Sequence, residues 1–413
     1  MGMKQDENSR RNRFCRKAEK RISISHKEVR DFASDLVLPL LDFAFAGRFA
    51  LNILAMVLVL ASAHRIAVNQ AVKKVKRAPS AGAIRYHLRK EIDIEQLENK
   101  VNSLLQRLAC TIILSRTRYE FAIDLVYIPY HGRHRKKEDE IVRSQAKRGT
   151  THFHAYATLY VIVLGMRFTL AVRYVRKGTP MVDIVTFFLD TIHHLDLHPK
   201  CLYMDKGFCA ISVIRLLKKR HIPAVIAAPA KGKKRGIKSL LRGRKSRVVS
   251  YTMRSKGDSE EIRLALVCKY SKGKYDRKGA FYFAYVLINV NLSPRVCYEK
   301  YRKRFGIETS YRLMNATRAR TSSRSPELRL LYVAIALILQ NAWVYLNWSY
   351  MRERKQGVQE ATEGLTLDSF VDLIVEGIKA CLGSVRTAVA VNRPRVDLID
   401  PVSRRDYLGG GTI

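Results

Sequence analysis

The sequence predicts an α/β protein: a mixed sheet with flanking helices, carrying a β-rich basic insertion and preceded by a helical unit. Three observations point there. Residues 31 to about 113 place apolar side chains at helical spacing. From about residue 117, short β-rich apolar runs follow in the order strand, strand, strand, helix, strand, helix, strand. Hairpin links imply antiparallel pairing and strand–helix–strand units imply parallel pairing, so the sheet must be mixed.

In chain order, residues 1–30 form a basic polar arm with seven Arg and Lys from Arg10 to Arg21. Leu36 to Ala46 and Phe49 to Ala71 have helical length and apolar content. Phe49 to Ala63 is the membrane-like stretch, but it is too short for a span and runs on through His64-Arg65, so a buried helix is expected. Pro79-Ser80 opens a helix over Gly82 to Lys90. It carries Arg85, Tyr86, His87, Arg89 and Lys90, and a short helix of this kind can enter a DNA groove. Asp93 to Leu108 shows apolar residues at Ile94, Leu97, Val101, Leu104, Leu105 and Leu108, again helical spacing.

Strands are predicted at Tyr119 to Ile128, Ala155 to Leu164 and Arg167 to Val175, the last two joined at Gly165-Met166. A helix over Met181 to Leu195 precedes a buried strand at Cys201 to Met204. A helix over Cys209 to His221 then leads to a strand at Ala224 to Ala228. Between Lys206 and Gly257 there are 16 basic residues and no acidic one. Strands follow at Ile262 to Val267 and Phe281 to Ile288. Ser293-Pro294 opens one long helix to about Met314, and Leu328 to Leu346 and Leu367 to Leu382 are further helices. The expected units are a basic arm (1–30), a helical DNA-binding unit (31–116), a sheet unit (117–346, with the insertion at 229–291) and a C-terminal helical segment and tail (347–413).

The chain carries 76 basic and 36 acidic residues, a formal charge of +40, while 47% of its residues are hydrophobic. That core content excludes a wholly disordered basic protein, and the charge calls for a polyanionic partner, of which nucleic acid is the usual one. Seven cysteines at 15, 110, 201, 209, 268, 297 and 381 form no C-x-x-C pair and no zinc spacing. This pattern fits a reducing compartment, and the expected location is cytoplasmic, with the nucleoid, and without membrane attachment.

Three carboxylates stand out. Asp124 interrupts a strand that is apolar on both sides, so it must be paired, hydrogen-bonded or metal-bound if buried. Asp205 ends a parallel strand, where sites form in open α/β sheets. Glu308 is the only acid between Lys300 and Pro326, among eight basic residues. Each alone also fits a structural role, as a helix cap or an ion-pair partner. Held together, three acids favour a divalent cation bound through oxygen.

Their arrangement resembles the insertion-sequence DDE transposases of the cut-and-paste group with a Tyr-Arg-Glu signature and an RNase H-like catalytic domain. Three blocks carry the resemblance: Ala122-Ile123-Asp124-Leu125 with Pro129-Tyr130-His131-Gly132; Asp205-Lys206-Gly207-Phe208; and Tyr301, Arg304 and Glu308 with Arg312 one turn on. On one continuous helix, positions 301, 304, 308, 312 and 315 would share a face. The family often has a Lys seven residues after the Glu. Asn315 stands there, which leaves Arg312 or Arg318 to supply that charge. The tryptophan that some relatives use to hold a flipped base has no counterpart before Glu308; Tyr251, Tyr270 or Tyr275 are candidate substitutes by stacking.

The resemblance implies a transposase acting on double-stranded DNA, at terminal inverted repeats and target sites, as a homo-oligomer such as a dimer. Two Mg²⁺ or Mn²⁺ ions, about 4 Å apart, would be held by Asp124, Asp205 and Glu308 for in-line displacement at phosphorus. Tyr301, Arg304 and Arg312, the insertion residues Lys233, Lys234 and Arg235, and Arg85 and Arg89 are the expected DNA contacts. Two other readings stay open on the residues: another RNase H-like nuclease such as a junction resolvase, and a non-catalytic DNA-binding protein derived from a transposase.

Overall fold

The computed structural model describes residues 24–41, 50–90, 92–133, 139–163, 165–232, 236–243, 245–255, 257–270, 279–302, 304, 306–350 and 365–385, without the side chains of 89–90, 306–310 and 350. Among the described residues nine strands form one sheet. They are β1 Arg118–Pro129, β2 Val142–Lys147, β3 Thr150–Val163, β4 Met166–Val175, β5 His198–Met204, β6 Ala224–Ala227, β7 Arg247–Ser255, β8 Asp258–Tyr270 and β9 Ala280–Ile288. Their order is β2-β3-β1-β5-β6-β9-β8-β7, with β4 also on β3. β1, β5 and β6 run parallel, and the other pairs are antiparallel. The mixed sheet is the expected one.

Two features differ from expectation. β2 and β7 were not legible as strands. β7 pairs only with β8, and β2 covers the first part of the edge of β3 that β4 otherwise occupies. The basic insertion is also no separate arm at its strands: β9 pairs antiparallel with β6, so β7–β9 extend the central sheet. The residues Lys233, Lys234 and Arg235 lie outside the described residues.

The helices before the sheet are α1 His26–Val37, α2 Leu51–Ala63, α3 Val68–Val72, α4 Ala81–Lys90 and α5 Ile94–Cys110. α1 begins inside the stretch read as a polar arm, because Ser25 and Glu28 form a capping box. The predicted Phe49–Ala71 helix is broken: α2 stops at Ala63, and Arg65 takes a left-handed φ of 55° before α3. Ser80 accepts from the Ala83 N–H at the start of α4, and Asp93 caps α5. Within the sheet unit, α6 Met181–His194 and α7 Ile211–Lys219 are the crossover helices, followed by the short α8 Ile237–Leu240.

Beyond β9 come α9 Pro294–Arg302, α10 Gly306–Ala316, α11 Pro326–Tyr350 and α12 Leu367–Leu382. The single helix predicted from Ser293 to Met314 is therefore two, with Arg304 in the break. α11 is long and apolar enough to cross a membrane, but 83% of its apolar window is buried inside the protein. It is a core helix, joining α1–α5 and α12 in one continuous apolar cluster. α12 approaches α1 so closely that a Cβ on Gly377 would collide with the His26 carbonyl oxygen.

This helical layer closes the free edge of β4. Asn341 of α11 donates to the Thr169 carbonyl at 2.8 Å and accepts from its N–H at 3.0 Å. Asn102 of α5 does the same to Val172, at 3.0 and 2.8 Å, and Glu98 accepts from the Tyr174 N–H at 2.7 Å. An exposed strand edge offers unpaired backbone groups, and here buried side chains complete them.

Candidate active site

The site starts from the parallel ladder between β1 and β5. Ile123 pairs with Met204, so Asp124 and Asp205, the next residues, stand side by side on adjacent strands. Asp124 is 7% exposed, and its Oδ1 accepts from the Leu125 N–H at 2.8 Å. Burial pushes its carboxyl above the ordinary carboxylate range and the Asp205 charge adds to the rise, while Arg304 and the Leu125 N–H oppose it.

Arg304 joins the two acids. Its Nη2 lies 2.8 Å from Asp124 Oδ2 and its Nη1 lies 3.8 Å from Asp205 Oδ1. The guanidinium is buried, and its Nε has no partner among the described residues. The Tyr301 ring lies 5.8 Å from its Cζ, and the Tyr301 hydroxyl donates to the Met204 carbonyl at 3.1 Å. Tyr301 thus ties α9 to the residue just before Asp205.

Across β1, Asp124 faces Thr158 of β3, whose Oγ1 is 2.7 Å from the Tyr311 hydroxyl. Tyr311 fixes α10 against the acid-bearing face. Helical periodicity puts position 308 one turn before Tyr311 and Arg312. The Glu308 side chain lies outside the described residues. Among those residues no third His, Cys, Asp or Glu joins Asp124 and Asp205. The break at Arg304 removes the single helical face predicted for 301, 304, 308, 312 and 315. Tyr301 and Arg304 still reach the acids, from a different element than α10. Arg312 is exposed on α10, and Asn315 accepts weakly from Arg318 Nε at 3.5 Å.

These residues line an open cleft of about 590 Å³, with Lys147 and Lys206 at its rim and Tyr282, Phe283 and Tyr285 of β9 on one wall. Lys147, Tyr285 and Tyr311 were missed by the sequence reading. Tyr311 carried a signal, three residues after Glu308 on the same helix; Lys147 carried none. Arg85 and Tyr86 lie on the exposed side of α4, among the N-terminal helices, where Arg85 Nε donates to the Ala81 carbonyl at 3.2 Å. The Arg89 side chain lies outside the described residues.

A guanidinium shared by two carboxylates shows that both aim at one centre of positive charge. Hard oxygen donors converging in this way suit a divalent cation such as Mg²⁺ or Mn²⁺. Two acids side by side where a parallel ladder ends, joined by an arginine in a cleft edged by Lys147 and Lys206, make a site suited to a polyanion. Residues 116–342 match the family of the transposase DDE domain, and the chain belongs to that family. That family generally uses divalent metal ions. The fold is also similar to a piggyBac transposase in a cryo-EM structure of its synaptic complex with hairpin DNA. There the identity is 11% and the TM-score 0.44, over 89% of this chain and 76% of that one. No curated protein matches the chain in sequence.

Proposed function

We propose that this transposase cuts DNA at the ends of its element and joins those ends to target DNA, using divalent ions held by Asp124, Asp205 and Glu308. The observation that carries the reading is the convergence of Asp124 and Asp205 on Arg304. Ions bound there supply activation of water or a 3′-hydroxyl and stabilisation of the leaving oxygen. Arg304 offers a planar fork suited to two non-bridging oxygens of a phosphate, and Tyr301 holds that fork in place. This keeps the roles expected for the Tyr-Arg-Glu group, with Tyr301 on α9, Glu308 on α10 and Arg304 between the two helices. Lys147 and Lys206 draw the DNA backbone to the cleft.

DNA contacts are assigned as well to Lys233, Lys234 and Arg235 in the basic insertion, to Arg312 on the exposed face of α10, and to Arg85 and Arg89 on α4, which would read the terminal repeats. A dimer bridging the two element ends is part of the same proposal. The test is cleavage and joining of duplexes bearing the element's terminal repeats. Product should require Mg²⁺ or Mn²⁺ and disappear in Asp124→Asn and Glu308→Gln, with binding of the same duplex retained. Metal-independent cleavage, or near-normal cleavage by either variant, overturns the metal assignment. Binding without any cleavage by the intact chain would leave a DNA-binding protein.

A further inference from the structure

We infer that Arg65, Arg148, Arg318 and Arg329 form a second anion site, separate from the acids, that grips one phosphate of the DNA backbone. The inference rests on the DNA-processing reading above. The four residues come from the turn after α2, the β2–β3 hairpin, the segment after α10 and the first turn of α11. The Arg320 N–H donates to the Ile66 carbonyl at 3.1 Å, which draws the segment after α10 against the turn that holds Arg65. Arg329 is buried, Arg318 is half-buried, and Arg65 and Arg148 are exposed at the rim.

None of the four forms an ion pair with a described residue. Arg329 is held by the Ser323 carbonyl, to which its Nε donates at 2.6 Å, and by the Tyr130 ring 5.1 Å from its Cζ. Among the described residues Arg318 has only the long contact to Asn315. Burial pulls the Arg318 guanidinium below its ordinary range, and Arg329, Arg65 and Arg148 pull the same way. Buried cations in a folded protein are normally paired, because an uncompensated charge is costly to desolvate.

The floor of the cluster is equally unfinished. Tyr156 of β3 is fully buried within electrostatic reach of Arg318 and Arg329, and its hydroxyl has no partner among the described residues. Both rim arginines also hold left-handed backbone, at φ 55° and 51°, which an L-residue adopts at a cost in energy. A cluster of donors that holds no carboxylate among the described residues suits a phosphate, with arginine forks on its oxygens and the tyrosine hydroxyl as a further donor.

The position favours DNA over free phosphate. Tyr156 lies two residues from Thr158 on β3, on the face that carries Asp124 and about 7 Å farther along the strand. Arg65 comes from the helical unit and Arg148 from the sheet, so a backbone gripped there would be in contact with both. The site would hold the duplex beside the acids without touching the reacting phosphate.

The experiment is a salt series of duplex binding by the full chain, followed by fluorescence anisotropy. Removing the grip on one phosphate should lower the log-log slope by about 0.9. Arg318→Gln and Arg148→Gln should each lower it by up to that amount, and the pair by no more than about 0.9 in all because they share one phosphate, with thermal stability unchanged or raised. Arg318→Lys should keep most of the slope. Should Arg318→Gln fail to fold, the exposed Arg148→Gln carries the test alone. An unchanged slope in both single variants, with tight duplex binding by the wild type, overturns this site only. Absence of salt-dependent duplex binding by the wild type overturns the functional reading itself. Inorganic phosphate provides the last arm. If phosphate raises the wild-type Tm above chloride at equal ionic strength, Arg318→Gln abolishes that rise and the slopes do not move, the ligand is free phosphate and the DNA assignment falls.

Discussion

Two of the places where this molecule buries polar groups are finished to different degrees. Where the helical layer meets β4, Asn102 and Asn341 each use both ends of a side-chain amide, so the strand edge beneath them is satisfied. At the cleft the Arg304 Nε has no partner among the described residues, and the Asp124 carboxyl is pushed up by burial. At the seam the backbone is paired, although Thr169 Oγ1 and Gln340 Oε1 have no partner among the described residues; at the cleft it is charged groups that keep capacity for a ligand. The seam is therefore the structural part of the sheet and the cleft the chemical part, though one strand array carries both.

The comparison breaks most readily at the seam. Asn341→Leu strips partners from the Thr169 N–H and carbonyl, at about 1–3 kcal/mol for each buried group left unsatisfied. We expect a loss of about 2–6 kcal/mol in chemical denaturation, with cleavage per folded molecule unchanged. A loss within about 0.5 kcal/mol, the usual scatter of surface substitutions, would mean that water replaces the amide and the seam is not sealed.

At the cleft, Arg304→Met leaves Asp124 buried without its counter-ion, and breaking a buried pair typically costs about 3–5 kcal/mol. Added Mg²⁺ should recover part of that stability, because the ion takes the arginine's place beside the acids. Denaturation curves with and without Mg²⁺ measure it, and a variant indifferent to the ion would argue that no cation belongs there.

His154 sharpens the comparison by pH. It is buried beside Tyr174, whose hydroxyl is 3.1 Å from Nδ1, and burial followed by the Arg329 charge lowers its pKa from 6.5 to about 3. Between those values the folded chain binds fewer protons than the unfolded one. Its contribution is thus fully present above pH 6.5 and lost as pH falls toward 3. Tm against pH should decline across that window and decline less in His154→Gln; equal slopes would place the acid sensitivity elsewhere. The raised carboxyls of Asp124 and Glu98 act in the opposite sense, gaining stability as pH falls.

The finest separation is Arg304→Lys. The charge beside Asp124 survives, so the loss of stability should stay well below the cost of breaking the buried pair, about 3–5 kcal/mol. The second hydrogen bond of the fork is lost, and misplacing a reacting group by about 1 Å can cost on the order of a hundredfold in rate. Single-turnover cleavage at wild-type speed would make Arg304 a structural counter-ion alone.

Legibility in the sequence followed the same division. Interior strands announce themselves: the apolar runs at β1, β3, β4, β5 and β6 were read to within about five residues, whereas a shared site for Asp124 and Asp205 was expected only from the family resemblance. β2 and β7 escaped because strands with a solvent face carry charges, such as Arg143, Lys147, Arg247 and Arg254, in place of apolar alternation. The amides of Asn102 and Asn341 were illegible because a polar residue on an apolar helix face means nothing until its partner strand is known. The division into α9 and α10 was missed because the sequence periodicity carries on from Arg302, where α9 ends, to Gly306, where α10 begins. The pairing of Arg304 with Asp124 and Asp205, 180 and 99 residues away in sequence, could come only from the three-dimensional arrangement.

The central claim is that Asp124 and Asp205, side by side where the parallel ladder of β1 and β5 ends, perform the cleavage. Asp205→Asn tests it most directly. It keeps size and hydrogen-bonding capacity, it leaves the Asp124–Arg304 pair in place, and it removes one charge from the cleft. In single-turnover assays with Mg²⁺ and a terminal-repeat duplex, the account predicts no detectable cleavage, with thermal stability and duplex affinity close to those of the wild type. Cleavage by Asp205→Asn at a rate near wild type would contradict it.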